Sequence, residues 1–254
     1  MAPRFSLTFL GVGAGLSPEL GNNNAWIESE DGGAHLLVDC GPVTIHELKL
    51  AGRLAGVKHA FLTHVHDDHV GGLQLWAQLN RYVYRHRPVL WFPASLYEEL
   101  WEGTLRGGLA RVNDANGTPG EAGLDAYFDP RPLAEGEVVA LPGLPVLTPR
   151  PTVHVPGKPC YGFYLGDDVY YSSDSQLLPP TEGLGGAPLR AVFQDCQLFD
   201  TSPRVHTPFS VLAREMPAEL KAVTRLMHYN HPPEVDANAH GFWGFVQPRE
   251  AYWL

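Results

Sequence analysis

Hydrophobic and polar positions along the chain alternate in short runs that read as strands, with helical periods between them. Phe5, Leu7 and Phe9 stand two apart, the spacing of a half-buried strand. Gly11, Gly13, Gly15 and the run Asn22 to Asn24 read as turn or loop, and residues 25–28 as the next strand. Leu36 to Val38 is an apolar run ending on Asp39-Cys40-Gly41, and Thr44 is placed to cap a helix reaching about Leu54. Residues 57–63 predict a further strand. Leu73, Trp76 and Leu79 share a helix face, residues 89–92 form a short strand, and a helical stretch starts near Ala94. Residues 113–123 lack an apolar period and read as a loop. Short strands separated by turns are expected over residues 130–160, then a hairpin of residues 161–165 and 169–172 around Gly166-Asp167-Asp168. Ala191 to Phe193 and Leu226-Met227 are buried strand candidates, residues 208–222 are helical with a break near Pro217, and apolar residues recur at 244–246 and 251–254.

Polar side chains able to bind metal recur directly after these apolar runs. Strand ends hold side chains rigidly yet reach the rim of a sheet. No composition break marks a linker, so the 254 residues (1–254) are expected to form one α/β domain, long enough to bury a core. The net charge of −10 and pI near 5.6 disfavour a large nucleic-acid footprint. Bound cations still make a local positive site feasible. Three cysteines are no disulfide framework and fit a reducing compartment. No apolar leader and no run of about 18 apolar residues is present, so a cytoplasmic protein that does not span a membrane is expected.

The densest chemistry lies in His64-Val-His66-Asp67-Asp68-His69. That spacing suits a tight turn leaving a strand, with His64 and His66 pointing one way and Asp68 and His69 reaching a second position. Neutral imidazole and carboxylate are zinc ligands, and such a crowd is costly to bury without a cation. The bland alternative is a His-rich surface turn.

The stretch Phe61-Leu-Thr-His-Val-His-Asp-Asp-His-Val-Gly-Gly72 resembles the signature of the metallo-β-lactamase superfamily, and Leu10-Gly11 and Leu37-Val-Asp39-Cys-Gly41 match its upstream strand signals. The resemblance covers most of the chain. It implies a four-layer αββα sandwich with a dinuclear site at one sheet edge. It assigns His64, His66 and His154 to one ion, Asp68, His69 and His228 to the other, and Asp174 as the bridge. Ser173-Asp174-Ser175 departs from the family's Gly-Asp-Thr but keeps the carboxylate. His231 and His240 compete with His228 for the last position. Asp39 either orients a ligand histidine or merely forms a turn. Two Zn²⁺ ions are implied, with Mn²⁺ also compatible with these ligands. Two ions roughly 3.5 Å apart can share a hydroxide nucleophile.

The superfamily hosts many reactions, so the fold does not choose one. Asp195 and His206 occupy positions similar to an acidic residue and a histidine of the tRNase Z-like phosphodiesterase branch. There a carboxylate-held imidazolium donates a proton to the leaving alkoxide. Asp replaces the branch's Glu, and a surface histidine is the alternative reading of His206. The lack of a long Gly- and Lys-rich arm argues against tRNA processing. The pattern from Gln194 to Tyr229 is similar to compact bacterial and phage phosphodiesterases that open cyclic nucleotides, including the anti-Pycsar type. The resemblance implies a small anionic phosphodiester substrate and a homodimer. Trp76, Trp91, Tyr161 and Trp243 are candidates to stack a base, each also a core candidate. Competing readings are a lactonase or thioesterase, a single-iron sulfur dioxygenase, and a metal-binding protein without turnover.

Overall fold

The apolar runs become strands covered on both faces. In the computed structural model, which describes residues 4–113 and 116–254, β1 (Phe5–Phe9), β2 (Ala25–Ser29), β3 (His35–Val38), β4 (His59–Phe61) and β5 (Val89–Pro93) lie side by side. β6 (Arg111–Asn113) and β7 (Pro119–Glu121) pair as a separate small hairpin, and β8 (Asp129–Leu133) extends the first sheet beside β5. The second sheet contains β9 (Leu147–Thr152), β10 (Cys160–Leu165), β11 (Val169–Tyr171), β12 (Ala191–Asp195), β13 (Thr224–Met227) and β14 (Gly244–Phe245). β15 (Ala251–Trp253) returns to the first sheet and pairs with β1. The orders are β15-β1-β2-β3-β4-β5-β8 and β14-β13-β12-β11-β10-β9.

Helices cover the outer faces. α1 (Thr44–Leu50), α2 (Asp67–Val70), α3 (Leu73–Gln78) and α4 (Arg106–Leu109) belong to the first half, and α5 (Phe209–Glu215) and α6 (Ala218–Ala222) to the second. Alternation along the strands explains the layering. In β2, Trp26 faces the helices while Ala25 and Ile27 face the other sheet. In β12, Phe193 faces the first sheet and Val192 faces Leu212 and Leu220 of the outer helices. Three apolar layers therefore separate four structural layers, the αββα sandwich that the sequence implies.

Some boundaries differ from the sequence reading. Thr44 is the first helical residue, with Val43 before it, and its hydroxyl bonds Asn24 Oδ1. The helix ends at Leu50, not near Leu54, because Gly52 adopts φ +68° and closes its end. Part of the loop expected at 113–123 is the β6–β7 hairpin. Residues 114–115 of that loop, and residues 1–3 of the N-terminal stretch, lie outside the described residues.

Candidate metal centre

β4 delivers the first group. The backbone stays extended through His66 (φ −113°, ψ 159°), and α2 then begins at Asp67. Extended alternation sets His64 and His66 on one side, and the first helical turn swings Asp68 and His69 back toward them. The second sheet supplies the rest: His154 follows β9, Asp174 follows β11, and His228 follows β13 directly. Asp39, Ser173 and His228 all have positive φ (62°, 52° and 59°), uncommon outside glycine. Each stands just past a strand, where a left-handed residue turns the chain sharply across the sheet rim.

These side chains converge into two groups sharing Asp174: His64, His66 and His154, and Asp68, His69 and His228. In the first, His66 Nδ1 lies 3.1 Å from both His64 Nε2 and His154 Nε2, and Asp174 Oδ2 lies 3.7 and 3.6 Å from those two nitrogens. In the second, Asp68 Oδ2 is 3.2 Å from His69 Nε2 and 3.3 Å from His228 Nε2, and Asp174 Oδ1 is 3.4 Å from each. Ligands held 2.0–2.2 Å from a tetrahedral ion stand about 3.3–3.6 Å from one another. The separations of 3.1–3.7 Å in the first group and 3.2–3.4 Å in the second bracket or approach that spacing.

The polar bookkeeping also fits a cation. His69 Nε2 and Asp174 Oδ1 are buried at the centre with no hydrogen-bond partner, and such orphans are costly unless something satisfies them. Burial and the neighbouring histidines push His66 down to about 4, and burial above all pushes His64 and His154 down. They are held as neutral imidazoles, the form that binds metal. Burial opposes charge on His228, yet Asp174, Asp195 and Asp68 push it up to about 10. Burial likewise opposes charge on His69, and Asp68, Asp174 and Asp39 overcome it. The carboxylate side of the cluster therefore calls for positive charge.

Supporting contacts fix the cluster from behind. His69 Nδ1 donates to Asp39 Oδ2 at 2.8 Å, and Asp39 also accepts from the Thr63 amide and hydroxyl, both at 2.8 Å. Asp39 thus turns the chain with its positive φ and also holds the His69 ring by hydrogen bond. His154 Nδ1 donates to the Val205 carbonyl at 2.7 Å. Asn24, read from sequence only as part of a turn, donates to the Asp68 carbonyl at 3.1 Å and accepts from the Gly41 amide at 2.6 Å. An Asn run before a strand was its only signal. Gly41 is required here: a Cβ on it would sit 2.0 Å from the Asp68 carbonyl oxygen.

Beside the second group, Asp195 at the end of β12 holds His206 and His228 together. His206 Nδ1 donates to Oδ2 at 2.8 Å and His228 Nδ1 to Oδ1 at 3.2 Å. The Ser175 amide adds a bond of 2.7 Å. The His206 ring lies 4.7 Å from that of His154. His206 is partly buried and bonded to the fully buried Asp195, so it is no loose surface residue. The competing histidines stand apart: His231 and His240 are exposed and outside the cluster. The stacking candidates are scattered, and most lie away from the cluster. Trp76 is fully buried against Phe128, Trp91 packs at the inter-sheet layer, and Trp243 lies over Arg225 near the start of β13. Tyr161 remains beside the cluster, its amide bonded to the Thr63 carbonyl.

Comparison with known proteins agrees with this architecture. The profile of the family described as "Anti-Pycsar protein Apyc1" matches residues 5–252. A protein of that name from Paenibacillus harenae is 33% identical over 257 residues, covering 97% of this chain and 98% of the relative. One from Bacillus phage 010DV004 is 32% identical over 268 residues and covers all of both chains. Among solved structures, the metallo-β-lactamase fold protein YhfI from Bacillus subtilis superposes with a TM-score of 0.72 at 18% identity, covering 99% of this chain and 100% of its own. The chain belongs to the anti-Pycsar Apyc1 family and has the metallo-β-lactamase fold.

Proposed function

We propose that this chain is a dinuclear phosphodiesterase that opens a cyclic nucleotide, with His64, His66 and His154 holding one ion, Asp68, His69 and His228 the other, and Asp174 shared. Family membership and the His/Asp cluster make it a metal-dependent hydrolase. Zinc is the metal these ligands suit first, with manganese next. Bound ions would supply Lewis acidity and an activated water at the cluster.

The observation that carries the phosphodiester reading is the Asp195–His206 pair at 2.8 Å, beside the metal-ligating groups. Hydrolysis adds water across a P–O bond and needs a proton on the departing ribose oxygen, because an alkoxide leaves poorly. With Nδ1 committed to Asp195, the other ring nitrogen of His206 is free to give that proton. Burial opposes its charge, and Asp195 raises its pKa, which keeps the imidazolium available. A thioester, whose thiolate leaves readily, has less need of such a donor. The relatives' anti-Pycsar name and the sequence's likeness to phosphodiesterases that open cyclic nucleotides support the same substrate class.

Purified protein loaded with Zn²⁺ or Mn²⁺ is expected to hydrolyse bis-p-nitrophenyl phosphate and at least one cyclic nucleotide. Efficient cleavage of lactones or thioesters, with no phosphodiester turned over, would overturn the proposal. Size-exclusion chromatography tests the homodimer, and fractionation of the native host tests the cytoplasmic location.

A further inference from the structure

The opposite end of β13 carries a second built site. Arg225 stands near the start of the strand and His228 follows its end, so three residues, about 10 Å, separate their backbones. Arg225 is only 8% exposed. Its guanidinium lies 3.8 Å over the Trp243 ring and 4.7 Å from the Tyr252 ring centre. No carboxylate pairs with it among the described residues, and its Nε is buried with no hydrogen-bond partner. Stacking satisfies the face of a guanidinium but none of its edge donors.

Arg225 lines a cavity of about 420 Å³, large enough for a nucleoside-sized ligand, and its terminal N–H groups are the donors left to meet one. Trp243, Tyr252, Gln247, Glu250 and Asp236 line it with Arg225. Trp243 is 55% exposed, leaving aromatic surface open to the cavity mouth. Glu250 accepts from the Tyr252 hydroxyl at 2.9 Å, and Asp236 accepts from the Asn238 amide at 2.9 Å. Two carboxylates on the wall disfavour a phosphate or other free anion at Arg225. The chemistry instead suits a planar neutral group with paired acceptors for the guanidinium and adjacent donors for a carboxylate. Guanine carries both: O6 and N7 accept from arginine in a bidentate pair, and its N1–H and N2–H groups donate.

We infer that Arg225, Trp243 and Glu250 form a nucleobase-binding site, suited to guanine, remote from the metal centre. Nothing in the hydrolytic reading requires it, and it stands whether or not that reading holds.

Guanosine, which has no phosphate to engage the metal centre, is titrated calorimetrically into the full-length, metal-loaded chain. Adenosine, cytidine, uridine and inorganic phosphate are run alongside. Guanosine should saturate below about 1 mM and bind about tenfold or more tighter than adenosine. His66→Ala should leave that affinity unchanged. Glu250→Gln, at an exposed position, should weaken it about tenfold while hydrolysis of bis-p-nitrophenyl phosphate persists. Arg225→Lys, which keeps the charge but not the bidentate edge, should weaken it similarly. Absence of saturation, loss of binding in His66→Ala, unchanged affinity in Glu250→Gln, or phosphate binding tighter than guanosine would each overturn the inference.

Discussion

His206 donates through Nδ1 to Asp195 at 2.8 Å, and Asp195 uses its other oxygen for His228. One carboxylate thereby ties the candidate proton donor to a candidate metal ligand. If His206 is the general acid, its worth depends on the leaving group. His206→Ala is expected to slow hydrolysis of a cyclic nucleotide by about 100-fold or more. Loss on bis-p-nitrophenyl phosphate, whose phenolate leaves without a proton, should stay below about tenfold. Equal losses on both substrates, measured as kcat/KM, would remove the role.

Chelation should abolish hydrolysis while leaving the sandwich folded. Phe5, Phe9, Phe61, Phe163 and Phe193 are essentially fully buried in the inter-sheet layer, each contributing roughly 2 kcal/mol. That layer does not depend on the cluster. A metal at about 1,000 times its Kd adds only about 4 kcal/mol. Far-UV circular dichroism at 25 °C should be retained after dialysis against a chelator, with a lower Tm restored by Zn²⁺ or Mn²⁺. A chelated chain that is unfolded at 25 °C would make the metal structural.

Asp39→Asn tests the orienting carboxylate. The amide keeps the shape but loses the charge that His69 Nδ1 faces. Zinc affinity, measured by competition with a chromophoric chelator, is expected to fall about 10- to 100-fold. An unchanged affinity would reduce Asp39 to a turn former.

Asn24→Ala removes a donor to the Asp68 carbonyl and an acceptor for the Gly41 amide. Both partners are buried, so stability should fall by about 2 kcal/mol in urea unfolding. Gly41→Ala, which drives a Cβ into the same carbonyl, should cost more.

Away from the cluster, His35 accepts from the Lys58 amide at 3.1 Å and stacks on Trp26 with ring centres 4.6 Å apart. Burial, then His59 and Lys58, lower its pKa below the ordinary value, with Glu28 opposing. The folded chain therefore binds fewer protons here than the unfolded chain. Its contribution is present above a pH of about 6.5 and is lost as pH falls below that value toward the folded pKa. Urea midpoints should decline between pH values of about 7.5 and 5.5, and decline less in His35→Gln.

The fold was legible because most strands follow apolar runs ending on polar residues, and the ligand-type side chains sit at those ends. His64 to His69 could be read locally, since six adjacent residues span one turn. His154, Asp174 and His228 lie far apart in the chain, and only the resemblance joined them. Asn24 escaped because its role is a tertiary contact with a backbone carbonyl, which leaves no local pattern. Of the two readings of Trp76 the core one holds, because an amphipathic helix turns its aromatic face inward. Arg225 has no local signal in the sequence, since its isolation depends on Trp243 and Tyr252 arriving from later in the chain.

Four of the seven converging groups hang from the first sheet and three from the second. The cluster therefore comes into being only when the halves have met in register. A one-residue slip of β13 would carry His228 about 3.3 Å along the strand, away from Asp68. Metal uptake during refolding thus acts as an assembly gauge, recording the moment at which the two sheets have found their native alignment.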